Sequence, residues 1–197
     1  YFDCKQSLIF PNNGTPGWII GPPKTDFVSL PVALRPQSVF VHAPTTTAPA
    51  YELFYWSGDV DVANVMTAWP GGVSLANGVA LKRPFPINHT ANFLGYQQNN
   101  TTWLTAWQVE STPTEPLSMM AHLQGSETAV QVADGLGFSS DQWQPGDVIV
   151  QQHVFEGGET AVFLRTGLYN YVSGKQLPLD NQSDTTFQLL PTTNEKP

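Results

Sequence analysis

From residue 91 onward, short runs rich in Val, Leu, Phe, Tyr and Trp recur with Gly, Pro, Asn and Asp between them. The runs are 91–97, 102–110, 117–124, 128–134, 147–155, 160–169 and 186–190. Segments this brief, at this even spacing, are too short for an α-helical core and read as strands of an antiparallel sandwich. Leu117-Ser-Met-Met-Ala-His-Leu123 carries helix-favouring Met, Ala and Leu, but it is confined between Pro116 and Gly125 and is read as a strand. Composition agrees. Charged residues make up 12% of the chain, against roughly 25% in an average soluble domain. Thr, Ser, Asn, Gln, Gly and Pro supply the polarity instead, and these are turn and strand-surface residues.

Upstream of this series, 7–10, 17–20, 28–34 and 51–56 are the strand candidates, and 59–69 reads as a short helix capped by Asp59 or Asp61. The predicted fold is therefore all-β: an antiparallel, jelly-roll-like β-sandwich over 86–197, with a smaller β-rich segment over 1–85 packed against it.

The net charge of −8 and the scattered basic residues exclude the clustered positive surface that nucleic acid or anionic lipid requires. No apolar run is long enough for a membrane span. The chain starts at Tyr1 without a leader and is expected to be a piece of a longer protein. Cys4 is the only cysteine and has no catalytic motif around it, so it reads as a strand residue. The sequons at Asn13, Asn88, Asn99, Asn100 and Asn181 read as surface loops.

Catalytic signatures are missing: there is no G-x-S-x-G elbow, no H-E-x-x-H and no phosphate-binding loop. His42, His89, His122 and His153 lack ligand-like spacing. No cofactor is expected. The carboxylate pairs Asp59 with Asp61, Glu110 with Glu115, and Glu156 with Glu159 are the candidates for glycoside hydrolysis, which needs two acids at a set separation. Asp134, Asp141 and Asp147 are weak calcium candidates; the competing reading is that each opens a turn.

A ligand surface is suggested by alternation, because every second side chain along a strand shares a face. Gln151 and His153 share a face with Ile149 and Phe155; His122 with Met120 and Gln124; Arg165 with Phe163 and Tyr169. If these faces coincide, Gln108, His122, Gln151, His153, Arg165 and Tyr169 form one hydrogen-bonding surface with aromatic rims, suited to a polyhydroxylated ligand. The same residues also fit a satisfied polar seam beneath the N-terminal segment, and Ile149 and Phe163 on those faces favour burial. Trp103, Trp107 and Trp143 are expected in the core; Trp18, Trp56 and Trp69 are the candidates for an exposed platform.

One further signal is the order of motifs in the second half: Phe93-Leu-Gly-Tyr96, Trp103-Leu-Thr-Ala-Trp-Gln-Val109, Ala121-His-Leu123, Ala133-Asp-Gly135, Trp143-Gln-Pro-Gly-Asp-Val-Ile149, Gly167-Leu-Tyr169 and Ser173-Gly-Lys-Gln-Leu-Pro178. This series resembles the C-terminal extracytoplasmic β-domain of bacterial polytopic glycosyltransferases, the group similar to dolichyl-phosphate-mannose–protein mannosyltransferases and aminoarabinose transferases. The resemblance implies a membrane-tethered parent, with the transferase chemistry in its multi-helix part and no catalytic residues in this chain. It implies an extracytoplasmic, accessory role in recognising a glycan or glycosylated acceptor. A structural cap on the membrane part is the alternative, and a glycoside hydrolase-like enzyme the second.

Overall fold

The computed structural model of the chain describes residues 7–12, 16–21, 39–41, 52–58, 60–125, 130–156 and 161–191. In chain order the strands are β1 (Ser7–Phe10), β2 (Gly17–Gly21), β3 (Val39–Val41), β4 (Glu52–Trp56), β5 (Val73–Ser74), β6 (Phe85–Ile87) and β7 (Ala91–Asn99). They continue with β8 (Thr102–Val109), β9 (Leu117–Gly125), β10 (Val130–Val132), β11 (Val148–Val154), β12 (Ala161–Asn170) and β13 (Phe187–Leu189). One short helix, α1 (Val62–Thr67), precedes β5.

Two five-stranded antiparallel sheets form a sandwich. Sheet I has the order β1-β11-β8-β7-β6 and sheet II the order β10-β9-β12-β13-β5. The alternation of β8 shows why they stack: Trp103, Thr105 and Trp107 are fully buried and point to one side. There they meet Phe93 and Ile149 of sheet I and Met119, Ala121, Leu164, Leu168 and Phe187 of sheet II in one apolar cluster. Phe93, Trp107 and Phe187 pack edge-on or tilted, with ring centroids 4.7 to 6.1 Å apart. Tyr96 stacks on Trp103 at 5.7 Å, and its hydroxyl reaches the carbonyls of Gly72 and Leu190. Burial pushes that hydroxyl's pKa up to about 12.

The other face of sheet I carries a second apolar layer. Leu94, Ala106, Val148 and Val150 face Phe10, Trp56, Val62, Met66 and Trp69. The helix exists because that face needs covering: its valines are poor helix formers, but Val62 and Met66 are buried and Asp61 Oδ1 accepts from Asn64 N at 3.1 Å. A separate three-stranded antiparallel sheet, β2-β4-β3, delivers Trp56 to this layer.

Most strands lie where the alternation placed them, and the ambiguous 117–124 segment is a strand. β3, β5 and β6 were not anticipated, being only two or three residues long. The expected 128–134 strand is confined to Val130–Val132 among the described residues. The strand expected over 28–34 lies outside the described residues, as do Cys4, His42, Asp59 and Glu159. β1 and β5 pair within the sandwich sheets, so strands on both sides of residue 85 build the same two layers. Two of the anticipated platform tryptophans are core residues: Trp56 is 4% exposed and Trp69 5%, because both are needed to roof sheet I. Trp18 is exposed and lies edge-on to Tyr55. Among the described residues, no helix is long and apolar enough to cross a membrane.

Candidate functional site

The six residues expected to share one surface are divided among three places, because their strands belong to different sheets. Gln151 and His153 lie on β11 with Ile149, facing the interior of the sandwich, each 1% exposed. Ser7 Oγ donates to Gln151 Oε1, and the backbone N–H of Gly137 approaches both at 3.0 and 3.3 Å. His153 Nδ1 lies 3.0 Å from the Ala133 carbonyl, which can only accept, so Nδ1 carries the proton. Its Nε2 is then the acceptor for Thr105 Oγ1 at 3.1 Å, and Thr105 in turn accepts from Trp107 Nε1 at 2.9 Å. Burial holds the His153 pKa down to about 4, the Ala133 carbonyl and the Asp134 charge opposing it only partly. These two side chains form a closed polar seam against β1 and the 133–137 loop, with no access for a ligand. Gln108 is on the outer face of sheet I, where it lines a cavity with Phe10 and Trp56.

The remaining three converge. On the outer face of sheet II, Arg165 of β12 lies directly opposite His122 of β9 on one side and Gln188 of β13 on the other, while Val132 of β10 opposes His122. Paired residues in antiparallel strands point to the same side. The row Val132–His122–Arg165–Gln188 thus crosses four strands, a span of about 14 Å at roughly 4.8 Å per strand. Phe163 and Gln124 form the adjacent row, with the Arg165 guanidinium 6.0 Å from the Phe163 ring centroid. Tyr169 lies further along β12, opposite Ser118. Arg165 is exposed; His122, Phe163, Tyr169 and Gln188 are half-buried.

Asp134 organises this strip. Its Oδ1 accepts from the backbone N–H of Ala121 at 2.7 Å, and the carboxylate lies 3.2 Å from His122 Nε2. Burial, then the Asp134 charge, holds the Tyr169 hydroxyl above its ordinary pKa. The residue singled out as a calcium candidate is thereby a positioning residue for two of the predicted site residues. Asp134 follows the end of β10, but the pairing with β9 continues on either side of it, from Ala133 N–H to the Ala121 carbonyl and from Gly135 N–H to the Met119 carbonyl, so Asp134 lies on the face of Val132 and His122.

The three calcium candidates do not assemble. Asp147 accepts from Asn12 N at 2.9 Å and Gln144 N at 3.2 Å, closing the turn after Trp143. Asp141 is exposed and bonded to Ser139 at the 3-10 turn Ser140–Gln142, which lowers its pKa. Among the described residues, no group of three His, Cys, Asp or Glu side chains could hold a metal ion. Of the carboxylate pairs, Glu115 accepts from Asn170 Nδ2 at 2.9 Å while Glu110 faces His89 at 4.0 Å, and Asp61 caps α1. No family model, curated protein or solved structure matches the chain.

Proposed function

We propose that the chain is a non-catalytic, extracytoplasmic recognition module for a neutral glycan or glycosylated acceptor, the accessory domain of a membrane glycosyltransferase. The observation that carries this reading is the strip on sheet II. It offers an Arg fork, an imidazole, a phenol and two Gln amides for hydroxyl groups, beside Phe163 and Tyr169 as rings for the apolar face of a sugar. A strip of this length takes several units of a chain. The acidic net charge leaves neutral ligands favoured over phosphorylated ones. Loops that cross between the sheets after β8, β10 and β11 also support the jelly-roll-like reading.

The test is calorimetric titration of the protein with cell-envelope oligosaccharides. Binding in the millimolar range or tighter is expected, weakened about tenfold by Arg165→Ala or Tyr169→Ala, the loss of one hydrogen bond or ring contact. Absence of heat with every oligosaccharide at millimolar concentration would defeat the proposal.

A further inference from the structure

Within the strip on sheet II, a donor and an acceptor stand side by side, and the surroundings fix the state of each. The His122 side chain is 32% exposed, so the ring is reached from outside. Its Nε2 lies 3.2 Å from one Asp134 oxygen and 3.3 Å from the other. A carboxylate only accepts, so Nε2 carries the proton and the neutral ring keeps its lone pair on Nδ1. Nδ1 has no hydrogen-bond partner among the described residues and is not among their sealed, unpartnered polar atoms. It therefore faces solvent as a bare acceptor.

Asp134 is fully engaged. Besides His122, it accepts from the Ala121 N–H at 2.7 Å and faces the Tyr169 hydroxyl. Arg165, directly opposite His122 on β12, is left without a carboxylate: its guanidinium rests against Phe163 and makes no ion pair or hydrogen bond among the described residues. Cross-strand partners have Cβ atoms about 4.5–5.5 Å apart, so the guanidinium and the imidazole reach one ligand atom together.

A hydroxyl satisfies both, because its oxygen accepts from Arg165 while its proton goes to Nδ1. An ether oxygen or a carboxylate only accepts, and turns a lone pair toward Nδ1. We propose that His122 and Arg165 form a hydroxyl-reading pair, which takes a free sugar hydroxyl, refuses an ether or a carboxylate, and releases its ligand when His122 takes up a second proton. Asp134 is the positioning residue that fixes the tautomer. The inference rests on the glycan-recognition reading above and names the chemistry its ligand must carry. Protonation turns Nδ1 into a donor beside Arg165, and the pair then suits an anion instead. The charged groups facing His122 are Asp134 and Arg165, and Tyr169 is the other titratable one; Val132 and Gln124 complete its surroundings.

Long-range 1H–15N NMR of the histidine-labelled protein reads both ring nitrogens with no ligand present. The His122 signals, identified by their loss in His122→Asn or through the assigned backbone, should show Nε2 protonated and Nδ1 bare. Asp134→Asn, whose amide both donates and accepts, should mix the two tautomers, which loss of a merely structural contact would not do. A protonated Nδ1 in the free protein at neutral pH, or an unchanged tautomer in Asp134→Asn, overturns the proposal before any sugar is added. Maltotriose, cellotriose and mannotriose, their permethylated forms, and trigalacturonate as the anion are then titrated to about 50 mM, well past a millimolar Kd. The Nδ1 resonance should move saturably with at least one neutral trisaccharide, and with neither its permethylated form nor trigalacturonate. The Kd should rise about tenfold as His122 becomes protonated in the same spectra, while His122→Asn, whose side-chain oxygen replaces Nδ1, binds within about threefold of wild type and without that dependence. Acid release that persists in His122→Asn, or tighter binding of trigalacturonate at neutral pH, overturns the pair. Calorimetric heat that falls in Arg165→Ala while the Nδ1 resonance stays still overturns this inference and leaves the strip standing; no heat with any probe ends both.

Discussion

Sheet I is covered on both faces, and the two covers are finished differently. Between the sheets, Trp103, Trp107 and Trp143 have no exposed surface, and one polar series runs from Trp107 through Thr105 and His153 to the Ala133 carbonyl, while the Trp103 and Trp143 indoles have no partner among the described residues. On the other side, Phe10, Trp56, Val62 and Met66 pack over Leu94, Ala106, Val148 and Val150 but leave a cavity. The inner cover is built for a single packed state. The outer cover leaves room beside α1.

The largest effect should come from the inner cover. Trp107→Ala removes a fully buried ring in contact with Phe93 and Phe187 and deprives Thr105 of its donor. A loss of about 4 kcal/mol is expected by urea denaturation, a large share of a typical domain's stability. Phe10→Ala, beside an existing cavity whose walls can relax, should cost about 3 kcal/mol. Equal losses, or a greater one for Phe10→Ala, would break the contrast.

Acid should reveal the same seam. The His153 pKa falls from 6.5 in the unfolded chain to about 4 when buried. Between those values the unfolded chain holds the extra proton and the native state does not, so the group withdraws stability as pH falls through this window and no further below it. The withdrawal is about 3 kcal/mol, from the shift multiplied by 1.36 kcal/mol per unit. Other groups contribute to acid unfolding, so the measurement is the difference between wild type and His153→Gln at each pH. That difference should change across pH 6.5 to 4; a constant difference would show that His153 does not titrate in this way.

Alternation made the strands legible, and it correctly grouped Trp103 with Trp107 and Phe163 with Arg165 and Tyr169. It could not say which face of a strand is inward when that face is polar: Gln151 and His153 point into the core because loop carbonyls and hydroxyls satisfy them there. Nor could it say which strands share a sheet, since β8 and β11 pair in one and β9 and β12 in the other. That single fact splits the predicted surface. Trp56 and Trp69 were misplaced for a related reason. The 52–69 segment looks like a rim when read alone, but it is the roof of a sheet formed mostly by residues downstream.

The most local expression of this two-sided design is Gly95. The pairing of β7 with β8 shifts between Phe93 and Gly95, so that Phe93 and Tyr96 both face the inner cluster while Leu94 faces the outer one. At this bulge α1 comes so close that a Cβ on Gly95 would collide with the Met66 carbonyl and lie 2.7 Å from Arg83 Nη1. Arg83 has little freedom to retreat, because its other terminal nitrogen donates to the Trp69 carbonyl at 2.7 Å. Replacing a strand glycine by alanine ordinarily stabilises by roughly 0.5–1 kcal/mol. Here Gly95→Ala must push the helix outward, and a loss of about 2 kcal/mol is expected by the same denaturation measurement. The displacement belongs to the outer cover alone, so the Trp56 indole N–H signal should move while that of Trp107 stays. A stabilised variant, or one in which both signals move together, would mean that the two covers of sheet I are a single mechanical unit and that the room beneath Trp56 is not independently adjustable.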